Sequence, residues 1–197
     1  MKNIIISGTP GCGKTSVARK ISSLIDAEII SLNELAISDK FSFEFDKERD
    51  TYIVDFEIFL PFILDKIKEI KNQNYKYLII ESHFSDIIPN DYIDFVFILR
   101  CDPDELIKRL KEKNYNIKKI MENVQAEILG NSVNYFLQKK LTSTLFEIDT
   151  TKLSIESVAK IIINIIIDKK DVDNYYVGKI NWLEKLFQED RLQEFFD

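Results

Sequence analysis

Short apolar runs flanked by turn residues alternate along the chain with stretches whose apolar positions recur at helical spacing. The runs are Ile4 to Ser7, Glu28 to Ser31, Tyr77 to Glu81, Phe95 to Arg100 and Phe146 to Asp149. Parallel strands are buried on both faces and need a crossover helix between them, so this alternation predicts βαβ units and a five-stranded, mostly parallel sheet. Helices are predicted from Lys14 to about Ile25 and from Asp55 to Lys71, where Phe59, Ile63 and Ile67 fall on one face. Asp102-Pro103 opens another, supplying a cap and then a proline at the first helical position. It runs to about Lys113, Asn114-Tyr115-Asn116 breaks it, and one further helix is expected from Lys118 toward Leu141. Ser154 to Ile167 is apolar nearly all round and reads as a buried helix. From Gly178 to Phe196 the pattern is that of an amphipathic helix packed back on the core, with Ile180, Leu183, Leu186 and Phe187 on one side. The connection between the second and third runs is longer than one crossover helix requires. Its first part, Ser31 to Val54, is polar and acidic with the alternation Phe41, Phe43, Phe45, and is expected to be an insert.

Composition narrows the class. A chain of 197 residues suits one compact domain with small inserts, and 45% hydrophobic with 30% charged residues is the balance of a globular rather than a disordered protein. The longest apolar stretch, Ile161 to Ile167, falls far short of the roughly 20 residues that span a bilayer. Too few apolar residues follow Met1-Lys2-Asn3 to form a signal-peptide core, so a cytoplasmic protein with no membrane partner is expected. The formal net charge of −6 argues against general affinity for nucleic-acid backbone and would suit a basic protein partner. Cys12 and Cys101 form no C-x-x-C pair, which points to neither a disulfide framework nor a zinc site.

The chemistry concentrates where the glycine does: three of the chain's five glycines lie in Gly8 to Gly13. Gly8 to Thr15 matches G-x-x-x-x-G-K-[ST] without a gap, between a predicted strand and a predicted helix. Such a loop turns successive N–H groups inward on phosphate oxygens and adds the partial positive charge of the helix N-terminus. Lys14 would reach the β- and γ-phosphates of ATP, and the Thr15 hydroxyl would ligate Mg²⁺. Glu81 ends the third strand where it emerges beside this loop, the position of a carboxylate that holds Mg²⁺. His83, the one histidine of the chain, alternates onto the same side. It reads either as structural or as a base for attack by water or an alcohol, since an acceptor phosphate is already ionised near neutral pH. Arg109 and Lys113 lie four apart on one helix face, fit either for closing over a triphosphate or for plain solvation beside Lys108 and Lys111. Asp149-Thr150-Thr151-Lys152 follows the fifth strand, where a loop could border the adenine or simply turn.

The stretches GTPGCGKT, ESH, FVFILRCDPDELIKRLKEKNY and KKIMENVQAEIL, in this order and spacing, resemble the adenylate kinase isoenzyme 6 family, and an archaeal-type member of it. The resemblance covers roughly residues 3 to 152. It implies the fold of nucleoside monophosphate kinases: an α/β P-loop domain with a five-stranded parallel sheet, an NMP-binding insert at about 31–54 and a short lid at about 112–122. It implies two activities, Mg²⁺-dependent phosphoryl transfer from ATP to AMP and an ATPase role in small-ribosomal-subunit maturation. The alternative within it is an assembly ATPase, with little kinase turnover, that binds and releases a basic small-subunit ribosomal protein and transiently meets pre-ribosomal particles. By motif, Gly11, Gly13, Lys14, Thr15 and Ser16 fall on the nucleotide loop, Glu81 and His83 on the acid-x-His pair, Lys113 at an ATP-contacting lid position and Lys152 in the adenine-side loop. Two departures stand out. Lys113-Asn114 replaces the family's Arg-Gly, and lysine binds phosphate as a point charge rather than bidentately. Ile37 stands where an arginine for the acceptor phosphate is expected, with Lys40 or Arg49 as substitutes.

Overall fold

The computed structural model describes residues 1–37, 45–46, 51–52, 54–141, 144–169 and 171–196. In chain order the elements are β1 (Lys2–Ser7), α1 (Lys14–Ser22), β2 (Ala27–Ser31), α2 (Leu32–Ile37), the two-residue strands β3 (Phe45–Asp46) and β4 (Thr51–Tyr52), α3 (Phe56–Lys71) and β5 (Tyr77–Glu81). There follow β6 (Phe95–Arg100), α4 (Pro103–Glu112), α5 (Ile117–Ile128), α6 (Asn131–Gln138), β7 (Thr144–Asp149), α7 (Ile155–Asp168), α8 (Trp182–Gln188) and α9 (Gln193–Phe196). The main sheet has the order β2-β5-β1-β6-β7, and every pairing in it is parallel. These are the five strands expected from the apolar runs.

Alternation along β1 shows how the core divides. Ile4 and Ile6 face a layer built from α1, α4, α5, α7 and α8, whereas Ile5 faces one built from α3 and α6. All three isoleucines are fully buried, each worth about 1.5–3 kcal/mol on removal from water. The helix starts are marked in the sequence: Asp55, Asp102, Asn116, Ser154 and Asn181 each accept a backbone N–H of the first turn.

Two expectations need correction. The helix predicted from Lys118 toward Leu141 is two helices, α5 and α6, separated at Gly130, whose φ of 67° is a left-handed conformation that most side chains avoid. The single C-terminal helix is also two short ones, interrupted where Asp190 takes φ 55°. Within the expected insert, α2 buries Leu32 and Ala36 in the layer that also holds α3. Lys40, Phe41, Phe43 and Arg49 lie outside the described residues.

The C-terminal segment straps the helices around the predicted lid. Tyr176 bridges to Phe146 on the β7 edge. Lys185 pairs with the α4 cap Asp102 at 2.6 Å, Arg191 grips Asp104 through both terminal nitrogens at 2.9 Å, and Gln125 of α5 donates to the Phe195 carbonyl. Among the described residues, no helix is long and apolar enough to cross a membrane.

Candidate functional site

β1 delivers the chain into the glycine loop, and α1 carries it away. Gly8 takes φ 136°, and a Cβ added there would stand 2.3 Å from the Leu99 carbonyl oxygen of β6, so only glycine lets the loop leave the sheet this close to its neighbour. Gly13, at φ 94°, occupies the cap of α1. Lys14 is buried, with Nζ donating to the carbonyls of Gly8 at 2.7 Å and Thr9 at 3.1 Å. Burial lowers its pKa from the usual lysine value. An ammonium whose hydrogen-bond partners among the described residues are neutral carbonyls is poised to exchange them for anionic oxygen.

A cleft of about 430 Å³ opens above this loop at the carboxyl ends of the strands. The structure brings Gly11, Gly13, Lys14, Thr15 and Ser16 to it from the loop, Glu81 and His83 from β5 and its continuation, and Lys113 from the end of α4. Glu81 is 2% exposed, and its Oε1 accepts from the Thr15 hydroxyl at 3.1 Å and the Ser31 hydroxyl at 2.5 Å. Two hard oxygen donors thus converge beside the loop, the donor set that Mg²⁺ takes when phosphates and water complete its shell.

His83 stands at the rim of the cleft and is exposed. Its Nδ1 lies 3.3 Å from Asn33 Nδ2, and the Asn33 side-chain oxygen in turn accepts from Ser82 Oγ at 2.6 Å. Desolvation first, then the nearby Lys14 and Lys119 charges, push the His83 pKa down from 6.5 to about 4, so the ring is neutral at pH 7. Asn33 Nδ2 and His83 Nδ1 lie within hydrogen-bond distance, and the ring's tautomer sets which of its two nitrogens accepts.

Arg109 occupies a second cavity of about 240 Å³ on the far side of the loop, shared with Gly11, Gly13, Ser16, Lys113 and Thr150. It does not reach into the cleft that holds Glu81. Its guanidinium donates to Glu105, to the Thr150 hydroxyl and carbonyl, and to the Thr151 carbonyl at 2.9–3.2 Å. Lys113 lines both cavities. Lys152 is exposed and lines neither, although its neighbours Thr150 and Leu153 line the second.

Several cleft residues carried no sequence motif. Ser31 ends β2 and Asn33 lies in the first turn of α2, and Lys119 and Asn123 come from the first turns of α5, four apart and therefore on one helix face. That spacing was the available signal. A third cavity, about 270 Å³, adjoins the cleft through Asn33 and His83 and is lined by Ala36, Ile37, Phe56 and Phe84. Both cysteines are free and buried, and burial pushes the thiol of Cys101 up to about 12 and that of Cys12 well above the ordinary value. Protonated thiols are poor nucleophiles, so neither has a chemical part here.

Comparison with known proteins bears on this geometry. Residues 4–130 match the AAA domain family. A Methanocaldococcus jannaschii protein named "Putative adenylate kinase" is 35% identical over 184 residues, covering 93% of this chain and 94% of that one. Shikimate kinase from Acinetobacter baumannii in complex with shikimate superposes with a TM-score of 0.57 at 16% identity, over 87% of this chain and 96% of that one. Thymidylate kinase from Candida albicans does so with a TM-score of 0.58 at 16% identity, over 86% and 92%. At that identity the two structures establish the shared P-loop kinase fold.

Proposed function

This chain belongs to the AAA domain family and, by its archaeal relatives, to an adenylate kinase-like group, and from that premise we propose that it transfers the γ-phosphoryl group of ATP to AMP. The observation that carries the reading is the joining of two cavities. A polar cleft over the phosphate loop opens into an aromatic-lined cavity, and a triphosphate with an acceptor nucleoside monophosphate needs that shape. In this reading Phe56 and Phe84, 5.7 Å apart, face the acceptor base. The segment at about 31–54 closes the acceptor side, and the segment at about 112–122 is the lid.

Gly11, Gly13 and Ser16 cradle the phosphates of ATP with backbone and hydroxyl groups. Lys14 exchanges its two carbonyl partners for phosphate oxygens, and Lys113 neutralises charge from the opposite wall. Thr15 and Glu81 are the residues that would hold Mg²⁺, which when bound neutralises charge on the β- and γ-phosphates. Arg109, tied to the Thr150-Thr151 backbone, fixes the adenine-side loop and supplies positive charge at the edge of the triphosphate, with Lys152 beyond it. The acceptor phosphate, with a second pKa of about 6, attacks as an anion and requires no base.

ATP turnover in the presence and absence of a panel of nucleoside monophosphates, with products identified, tests the assignment. ADP should form at twice the rate of ATP loss with AMP present, and at no more than the rate of ATP loss without it. Phosphate release indifferent to every monophosphate would refute it.

A second reading rests on His83. A neutral imidazole beside Glu81 is suited to accept a proton from water, and the net charge of −6 suits a basic ribosomal protein. We infer an accompanying ATPase activity, used in small-subunit maturation while bound to such a protein. His83 works as a base only when neutral, so hydrolysis is retained above its pKa and lost as the pH falls through it. The kcat/KM for hydrolysis should therefore stay flat from pH 8 to pH 5.5 and fall only near pH 4. An acidic limb near 6.5 would rule out this environment for the base. Replacement His83→Ala should spare transfer to AMP and reduce hydrolysis; equal loss of both would overturn the division.

A further inference from the structure

Behind the phosphate loop lies a polar cluster centred on Glu127, which lines none of the cavities described above. Glu127 of α5 is 1% exposed. Its Oε1 accepts from Arg100 Nε at 2.7 Å, the Cys101 N–H at 3.1 Å and the Trp182 indole N–H at 3.1 Å. Its Oε2 accepts from the Thr9 hydroxyl at 2.6 Å, and Cys12 Sγ lies 4.0 Å from the same oxygen. One carboxylate therefore joins the phosphate loop, the end of β6, the helix that carries Lys119 and Asn123, and the C-terminal strap.

We propose that Glu127 is a positioning residue for the phosphate loop, acting through the Thr9 hydroxyl, and that Trp182 reads the loop's state through the same carboxylate. This rests on the loop binding the triphosphate. The physical case is one of asymmetry. Oε1 has three N–H donors that fix the carboxylate in place, whereas on the loop side the short Thr9 bond is its strong partner. Thr9 is 4% exposed and its carbonyl is one of the two that hold Lys14 Nζ. Fixing the Thr9 side chain therefore fixes the carbonyl that sets where the ammonium sits before ATP arrives. A charge-assisted bond of this kind is short and directional, and it pre-orders the loop instead of leaving that cost to binding. Trp182, the one tryptophan of the chain, is the built-in reporter, because its indole shares one carboxylate with the Thr9 hydroxyl, and making or losing the Thr9 bond changes the charge that carboxylate presents to the indole.

Thr9→Val removes the hydroxyl while keeping volume and branching, and Thr9→Ser restores it. ADP affinity by calorimetry, steady-state kinetics and Trp182 emission are measured on wild type, Thr9→Val, Thr9→Ser and Glu127→Gln. Thr9→Val should raise the ADP dissociation constant and the KM for ATP about tenfold with kcat within about twofold, and should blunt the emission change that ADP induces. Thr9→Ser should recover both. A purely structural role would instead lower kcat and thermal stability, leave KM alone and keep the emission change. Wild-type ADP affinity and emission response in Thr9→Val would overturn the proposal. Wild type that binds no ADP at all would instead refute the nucleotide reading it stands on. Should Glu127→Gln not fold, Thr9→Val and Thr9→Ser decide alone.

Discussion

Lys14→Ala is expected to lower kcat for phosphoryl transfer about a hundredfold, equivalent to roughly 3 kcal/mol of transition-state stabilisation. The magnitude follows from what the ammonium does before substrate arrives. Lys14 is already desolvated, with burial lowering its pKa, and it is held on the Gly8 and Thr9 carbonyls. The protein has thus met the cost of removing this charge from water during folding. Moving from neutral carbonyls to phosphate oxygens then gains a charge-assisted bond whose strength grows as negative charge develops on the transferring group. Folding should be little affected, because a buried ammonium without a carboxylate hydrogen-bonded to it adds little net stability. Lys14→Arg should not rescue, since a planar fork does not reproduce a point donor at this depth. A rate within threefold of wild type for Lys14→Ala, measured at saturating ATP and AMP, would remove Lys14 from the mechanism.

The three central strands were legible because Ile4 to Ile6, Leu78 to Ile80 and Val96 to Leu99 are buried on both faces, and short apolar runs bounded by turn residues mark such strands. The loop was legible because backbone approach to phosphate demands glycine at fixed spacing. Glu81 and His83 were reachable from strand alternation, and the structure brings both to the cleft. Arg109 was not: helical spacing put it on one face with Lys113, but spacing does not say that Thr150 and Thr151 would hold it on the other side of the loop. The split of the long helix at Gly130 was available from composition, since a glycine inside a helical pattern is a candidate terminus. Glu127 escaped notice because a charged residue in a charged helix reads as surface. Its phase gives it away, seven residues after Ile120 and three after Val124 on the buried stripe of α5. Glu147, set between the buried Phe146 and Ile148 of β7, had the weaker signal that alternation places it on the opposite face from both.

Arg100→Met is expected to destabilise the fold by about 3–5 kcal/mol, the cost of leaving buried charge without its partner. Arg100 is 3% exposed and serves two carboxylates at once: Nε donates to Glu127, Nη1 donates to Glu147 at 2.5 Å, and Nη2 donates to the Glu127 carbonyl at 2.9 Å. Methionine has the length to fill the space but leaves two buried carboxylates facing an apolar side chain. They also hold separate parts of the molecule: Glu127 holds Thr9 and Trp182, and Glu147 accepts from the Gly178 N–H at 2.7 Å. Loss of the shared cation should therefore loosen the C-terminal strap together with the loop. For a domain of this size the penalty corresponds to a fall of about 10 °C in Tm. Chemical denaturation at pH 7 measures it, and a variant within 1 kcal/mol of wild type would mean that the cluster is not held together by the charge of Arg100.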